Sequence, residues 1–348
     1  MVSCAHMEST EPFLGTLCFA LGGLCGALFA VPLRRVKGWS YESYWLIYAV
    51  AGMVGLPLVL SLVFVPDIGG VYSSVPGKVV ARCVLFGMMW GVGGLTWGLM
   101  IRYLGIGLGL AIGCGICSSV GTLVPPIASG HAADLVKDAH AVLTLAGVIA
   151  TLVGISFVGA AGHRKSRELT GEAARKAVAD FDFKKGLWIA VFSGLMSAGM
   201  NFGLQGGIDI ETAALASGTA SRWRGLPVQS LVLGGGFLVN AAYCLAKGAR
   251  QGSLSEFRGG GANWFFAALA GIIWAMSATM MKVGEPLMGE MRYISFAVIM
   301  SSTVFFSTLF GIFSGEWKGT SVKTKMFLAV GIIVLLAAFA TISMGKAT

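Results

Sequence analysis

The chain has 348 residues, of which 56% are hydrophobic and only 12% charged, with a net charge of +9 and a mean hydropathy of +0.80. Soluble domains carry roughly a quarter charged residues, so this chain cannot cover a water-facing surface and its apolar side chains must face lipid. The positive charge sits in short loops between apolar blocks, with no basic arm or aromatic-laced basic patch, which points to membrane topology and away from a nucleic-acid partner.

A helix needs about 20 apolar residues to cross a bilayer core. Ten such blocks follow one another at 12–32, 44–65, 80–101, 103–124, 140–161, 185–206, 225–246, 262–283, 292–313 and 325–345. The expected fold class is therefore an all-α integral membrane protein of ten transmembrane helices. No Lys or Arg precedes Arg34, so the first block lacks the basic start of a signal peptide and is expected to stay as a helix.

Glu42 stands at the entry to the second block. The third carries Trp90 and Trp97, seven residues apart and so on nearly the same helix face. Arg102–Tyr103 is the tightest junction, either a very short turn or a broken helix. The fourth block contains GIGLGLAIGCG. No strand precedes it and no Lys-Ser/Thr follows, so it is a packing face and not a phosphate cradle. Cys114 and Cys117 form a C-x-x-C with no second pair and no nearby His. Small-residue packing is expected there, with no metal and no cofactor. Seven cysteines, mostly inside apolar runs, do not make a disulfide framework.

His140 opens the fifth block. The charged stretch HRKSRELTGEAARKAVADFDFKK, 162–184, then divides the helices five and five. It reads as a solvated linker between 1–161 and 185–348. The sixth block holds GLMSAGMNFGLQGG, with Ser197, Asn201 and Gln205 at i, i+4 and i+8. That spacing makes one stripe of hydrogen-bonding side chains, suited either to sugar hydroxyls or to bonding between helices. Asn240 in the seventh block is a further candidate, and Trp274 lies in the middle of the eighth. A flat apolar ring suits the C–H face of a pyranose, with core packing as the alternative.

No Asp or Glu lies mid-span. The acidic residues gather near span ends, with Glu42 on one side and Asp209, Glu211, Glu285 and Glu290 on the other. Lys282 and Glu285 are one turn apart and are expected to pair. Proton carriers use buried titratable groups, and the candidates left are Glu42, His140 and Glu285.

Lys and Arg favour the loops after spans 1, 3, 5, 7 and 9 by about two to one, which puts those loops in the cytoplasm and both termini outside. The halves also echo each other. FGMMWGVGGLTWG pairs Gly87 and Trp90 with Gly271 and Trp274 of LAGIIWAMSATMM, and Gly147 pairs with Gly331 at the same 184-residue offset. GGLCGALF and SGLMSAGM in the first and sixth blocks match more loosely. Five helices per half is odd, so the second half must insert upside down. Inverted repeats are the architecture of secondary transporters, with the site near the midplane between them.

The segments VPLRRVKGWSYESYW, LFGMMWGVGGLTWGLMIRYLGIGLGLAIGCGICSSVGTLVPPI, SAGMNFG, RYISF and GEW resemble the L-rhamnose–proton symporter family, a branch of the drug/metabolite transporter superfamily. The resemblance covers nearly the whole chain. It implies ten helices and uptake of a small sugar, a deoxy-hexose such as L-rhamnose, in symport with protons across the bacterial inner membrane. The alternative is a carrier of the same superfamily that exports or exchanges another metabolite. A membrane enzyme would need a carboxylate pair, an activated nucleophile or a metal cluster in the membrane, and none is visible. Oligomeric state is not legible.

Overall fold

The computed structural model describes residues 3–344 apart from 129, 131–132, 134–135, 169–182, 314 and 316. Every regular element among the described residues is a helix. Helix α1 spans Ser3–Leu28. Helix α2, Tyr41–Ala49, passes through a π-helical turn at Val50–Gly55 into α3, Leu56–Phe64. A short α4, Ile68–Ser73, is capped by the Asp67 carboxylate, which accepts from the Gly70 amide at 2.8 Å. Then come α5, Gly77–Ala128; α6, Ala139–Glu168; α7, Phe183–Gln205; and α8, Ile208–Ala216. The chain ends with α9, Leu226–Gln251; α10, Gly261–Gly284; α11, Ser295–Phe313; and α12, Val322–Met344.

Among the described residues, seven helical stretches are long and apolar enough to cross a membrane: Phe13–Leu33, Tyr41–Phe64, Gly77–Trp97, Ala141–Lys165, Lys184–Ala216, Ser221–Gln251 and Gly261–Gly289. The chain is thus a multi-pass membrane protein, and these stretches cover seven of the ten blocks expected from hydropathy. The other three are also helical: 103–124 lies inside α5, 292–313 overlaps α11, whose apolar part Val298–Phe313 is shorter, and 325–345 overlaps α12. Of the 162–184 linker, 162–168 extend α6 and 183–184 open α7; 169–182 lie outside the described residues.

Helix α5 is not a straight rod. Fifty-two residues of straight helix would reach about 78 Å, more than twice a bilayer core. Gly113 instead lies against the Met100 thioether, although thirteen residues of straight helix would separate them by about 20 Å. The early part of α5 runs antiparallel to α7, since Gly93 faces Ser197 while Gly203 faces Cys83 and Phe86. The later part runs parallel to it, since Gly194 faces Ile116 and Asn201 reaches Gly121. The chain therefore turns back between Met100 and Gly113, a stretch that includes the Arg102–Tyr103 junction.

Glycine governs the close crossings. A β-carbon on Gly87 would overlap the Val232 carbonyl of α9, and one on Gly271 the Tyr48 carbonyl of α2. Small residues let helices approach in this way where lipid supplies no hydrophobic drive. Large apolar side chains such as Leu62, Val63, Leu85, Phe265 and Ile333 point outward, as a lipid-facing surface requires. Gly252 ends α9 at φ +73°, and Gly260 precedes α10 at φ +81°, a region that costs other residues strain.

Candidate functional site

An aromatic column forms where α2, α5, α9 and α10 meet. Trp90 of α5 and Trp274 of α10 stack with centroids 5.4 Å apart and planes 7° from parallel. Tyr48 of α2 leans on Trp274 at 6.0 Å. Trp45 stacks on Tyr48 at 4.5 Å, and Tyr41 on Trp45 at 5.2 Å. Tyr41, Trp45 and Tyr48 share one face of α2 because they fall at i, i+4 and i+7. The π-helical turn follows at once, where Gly52 meets the backbone of Gly271. Such turns often mark functional sites.

Asn240 of α9 locks this column from the side. Its Oδ1 accepts from Trp45 Nε1 at 2.9 Å, and its Nδ2 donates to the Gly236 carbonyl at 2.9 Å. Gly236 is also the residue on which the Trp90 ring lies. Three sequence candidates, Trp90, Asn240 and Trp274, are thus gathered in one place. Trp45 and Tyr48 join them and were not expected. Their only signal was the aromatic spacing in SYESYWLIY.

The α7 stripe is distributed differently. Ser197 Oγ accepts from Trp97 Nε1 at 2.8 Å, Asn201 Nδ2 donates to the Gly121 carbonyl, and Gln205 Nε2 approaches Glu285 Oε1 at 3.5 Å. Ser193 beside them donates to Thr96 Oγ1 at 2.7 Å. Trp97 sits in a small cluster with Met100 and Ala190, apart from the Trp90 column. Most of the stripe therefore ties α7 to both parts of α5, while Gln205 alone reaches a charged group. Two buried amide oxygens, Asn201 Oδ1 and Gln229 Oε1, have no hydrogen-bond partner among the described residues. Gln229 of α9 donates from Nε2 to Thr279 Oγ1 of α10 at 2.9 Å. A single glutamine in PVQS at a helix start gave no warning of this.

Both ends of this region are closed by ionic contacts. At one end Glu42 is 2% exposed; its Oε1 accepts from Ser253 Oγ at 2.8 Å and its Oε2 lies 3.1 Å from Lys247 Nζ. At the other end Lys282, 1% exposed, sits between Glu211 at 2.7 Å and Glu285 at 2.5 Å. The expected Lys282–Glu285 pair is therefore made, and Glu211 joins it from 71 residues away. Asn263 and Lys282 lie near the two ends of α10, roughly 28 Å apart at 1.5 Å per residue. Asn263 belongs to the Glu42 end, where it bonds the Lys37 backbone. Hydropathy put these carboxylates at span ends, and folding covers them. The side chain of His140 lies outside the described residues. Among the described residues no group of His, Cys, Asp and Glu could hold a metal.

This arrangement offers flat apolar faces, amides that donate and accept, and ionic seals above and below. It suits a neutral polyhydroxylated ligand held between two gates. Comparison with known proteins points the same way. The model of the L-rhamnose-proton symport protein family matches residues 9–348. The L-rhamnose-proton symporter of Cronobacter sakazakii is 32% identical over 343 residues, 96% of this chain and 98% of that protein. That of Citrobacter koseri is likewise 32% identical over 343 residues, with the same coverage. That of Shigella sonnei is 31% identical over 342 residues, again 96% and 98% of the two chains.

Proposed function

Because this chain belongs to the L-rhamnose-proton symport protein family, we propose that it imports L-rhamnose, or a closely similar deoxy-hexose, in symport with protons by alternating access. The observation that carries this proposal is the Trp90–Trp274 stack with Asn240 beside it, enclosed between two ionic ends. The three relatives compared above are each named L-rhamnose-proton symporter. Export or exchange of another metabolite, the alternative from sequence, has no comparable support.

The proposed architecture is ten spans in two inverted five-helix repeats, 1–161 and 185–348, joined by 162–184. Its support is a set of reciprocal contacts. Gly87 meets the Val232 carbonyl and Gly271 meets the Tyr48 carbonyl. An offset of 184 residues exchanges Gly87 with Gly271 and Tyr48 with Val232, so the two contacts are one contact seen twice. Gly93 meets Ser197, and Gly26 meets Ser277. The same offset relates Gly93 to Ser277, and the looser GGLCGALF match relates Gly26 to Ser197. Equivalent residues can touch each other only near the axis that relates them. Trp90 and Trp274 are such a pair, so their stack marks the centre of the molecule, where inverted-repeat carriers bind substrate.

In this proposal the sugar ring lies against the Trp90–Trp274 platform. Asn240 and Gln229 take hydroxyls from the α9 side, and Gln205 links the sugar chamber to the Glu285 end. Trp97, Ser197 and Asn201 hold α7 on α5 and set the chamber's width. The Lys- and Arg-rich loops face the cytoplasm of the bacterial inner membrane, with both termini outside.

The decisive experiment is uptake and counterflow of labelled L-rhamnose and other sugars in vesicles, with and without a pH gradient. Concentrative, gradient-dependent L-rhamnose uptake is expected. Rhamnose uptake indifferent to the gradient would remove proton coupling. Folded protein that moves no sugar would return the chain to the metabolite-carrier alternative.

A further inference from the structure

The Lys282 end is built as more than a seal. Lys282 closes the last turn of α10, and Glu285 follows directly. Glu211 comes from α8, Arg224 from the turn before α9, Ser295 from the start of α11, and Gln205 from the end of α7. Arg224 Nε lies 3.5 Å from Glu211 Oε2. Ser295 Oγ donates to Glu285 Oε1 at 3.0 Å, and Gln205 Nε2 approaches the same oxygen at 3.5 Å. The stem of Lys282 runs over Gly225, where a β-carbon would overlap its Cε. Lys282, Glu211 and Glu285 are all buried. Further out, Arg82 of α5 donates to the Gly206 carbonyl at 3.3 Å, and Asp209 on α8 is exposed. The side chains of Glu290 and Arg292, in the turn after Glu285, lie outside the described residues.

Five segments that an opening would pull apart are thus joined through one buried cation and two carboxylates. Separating them with every charge in place strands an uncompensated charge in a site of low polarity, which is strongly disfavoured. A proton on one carboxylate removes that obstacle. The two acids differ in the partners they are described with. Glu211 stands between Lys282 and Arg224, which only donate. Glu285 also meets a hydroxyl and a carboxamide, and these can accept as well as donate. Ser295 and Gln205 can therefore satisfy Glu285 as an anion or as a neutral acid.

We infer that Glu285 is the proton-binding group of the symport, and that Lys282 is the switch it releases. A proton from solution adds to a Glu285 carboxylate oxygen, and the Lys282 ammonium gives up that contact and stays with Glu211. The α8 side, held through Lys282, is then free to part from the α7 and α11 ends, which stay on Glu285 through Gln205 and Ser295. Gln205 carries this event toward the sugar chamber, because it ends the α7 helix that packs on α5. Trp274 lies eight residues before Lys282, about 12 Å along α10. This inference rests on the proposed function, and its test separates the two.

The test uses purified full-length protein in proteoliposomes. Labelled L-rhamnose counterflow reports sugar exchange without a pH gradient, and an entrapped pH dye reports proton entry driven by rhamnose. Glu285→Gln is expected to keep counterflow, slowed but measurable. It is expected to lose both gradient-driven accumulation and rhamnose-driven proton entry. Glu42→Gln, which removes the buried carboxylate of the opposite end, is expected to keep rhamnose-driven proton entry in proportion to its counterflow. Accumulation by Glu285→Gln under a pH gradient would overturn the inference, as would loss of proton entry in Glu42→Gln with counterflow intact. If Glu285→Gln does not fold, Glu285→Asp decides. A displaced pH profile of uptake supports the inference, and an unchanged one overturns it. Wild-type protein without rhamnose counterflow would instead defeat the proposed function.

Discussion

The two ionic ends of the molecule use the same chemistry in different settings. Lys247 meets Glu42 with a third of its side chain exposed, and Ser253 supports the carboxylate. Lys282 meets Glu211 and Glu285 with 1% of its side chain exposed. Water can replace much of the first contact when it opens, so that end behaves as a partly hydrated latch. Nothing among the described groups relieves the second unless a charge is neutralised. On the inference drawn above, this difference lets one end open by hydration and the other by protonation.

The largest break in this comparison is Lys282→Met, which leaves two buried carboxylates facing each other. The expected cost is about 3–5 kcal/mol, read as a large drop in thermal stability in detergent. Glu211→Gln combined with Lys282→Met should recover part of it. If Lys282→Met is no worse than Lys247→Met, the two ends do not differ as described.

Gly87→Ala and Gly271→Ala test the region between the ends. Each β-carbon meets a backbone carbonyl that cannot swing aside, so each should cost about 1–3 kcal/mol. The proposed repeat makes the two contacts equivalent, so the two losses should be of similar size. A strongly unequal pair would weaken the proposed repeat.

Trp274→Ala should cost rhamnose affinity roughly fivefold, the scale of an aromatic contact worth about 1 kcal/mol. Binding measured by equilibrium dialysis checks this. Unchanged affinity would make the stack a packing feature only. Lys247→Met should cost about 1 kcal/mol or less in stability, because its ion pair is partly screened by solvent.

The smallest effect is expected at Glu168, where α6 meets the start of α12. Ser321 Oγ and Thr324 Oγ1 both donate to its Oε1 at 2.6 Å, and the Ser321 amide donates to Oε2 at 2.7 Å. These bonds, helped by Arg164, hold the carboxyl at about 2, below its ordinary 4.5. Its stabilising contribution is therefore complete above the ordinary value and fades only as pH falls through about 2. Glu168→Gln should lower thermal stability slightly and equally at pH 5 and pH 8. A loss that differs between those two values would mean that the carboxyl titrates higher.

Much of the fold is legible one residue at a time, because lipid imposes a simple length and apolarity requirement on every span. The Lys282–Glu285 pair was legible too, since helical geometry brings residues three apart together. Trp90 and Trp274 were marked by their equivalent positions in the two halves. Glu211, Gln229, Trp45 and Tyr48 were not legible. Their partners lie on other helices, and which faces meet depends on how closely the glycines let the backbones approach.

The amino-acid sequence by itself determined that this chain crosses the membrane many times, which family it resembles, and which helices echo each other. Only the tertiary structure decided that the polar stripe of α7 is spent mainly on α5, that α5 turns back on itself, and that carboxylates at span ends are buried. Hydropathy reports the average environment of a segment. Burial of a single charge depends on which segments pack over it, and that is a property of the whole fold.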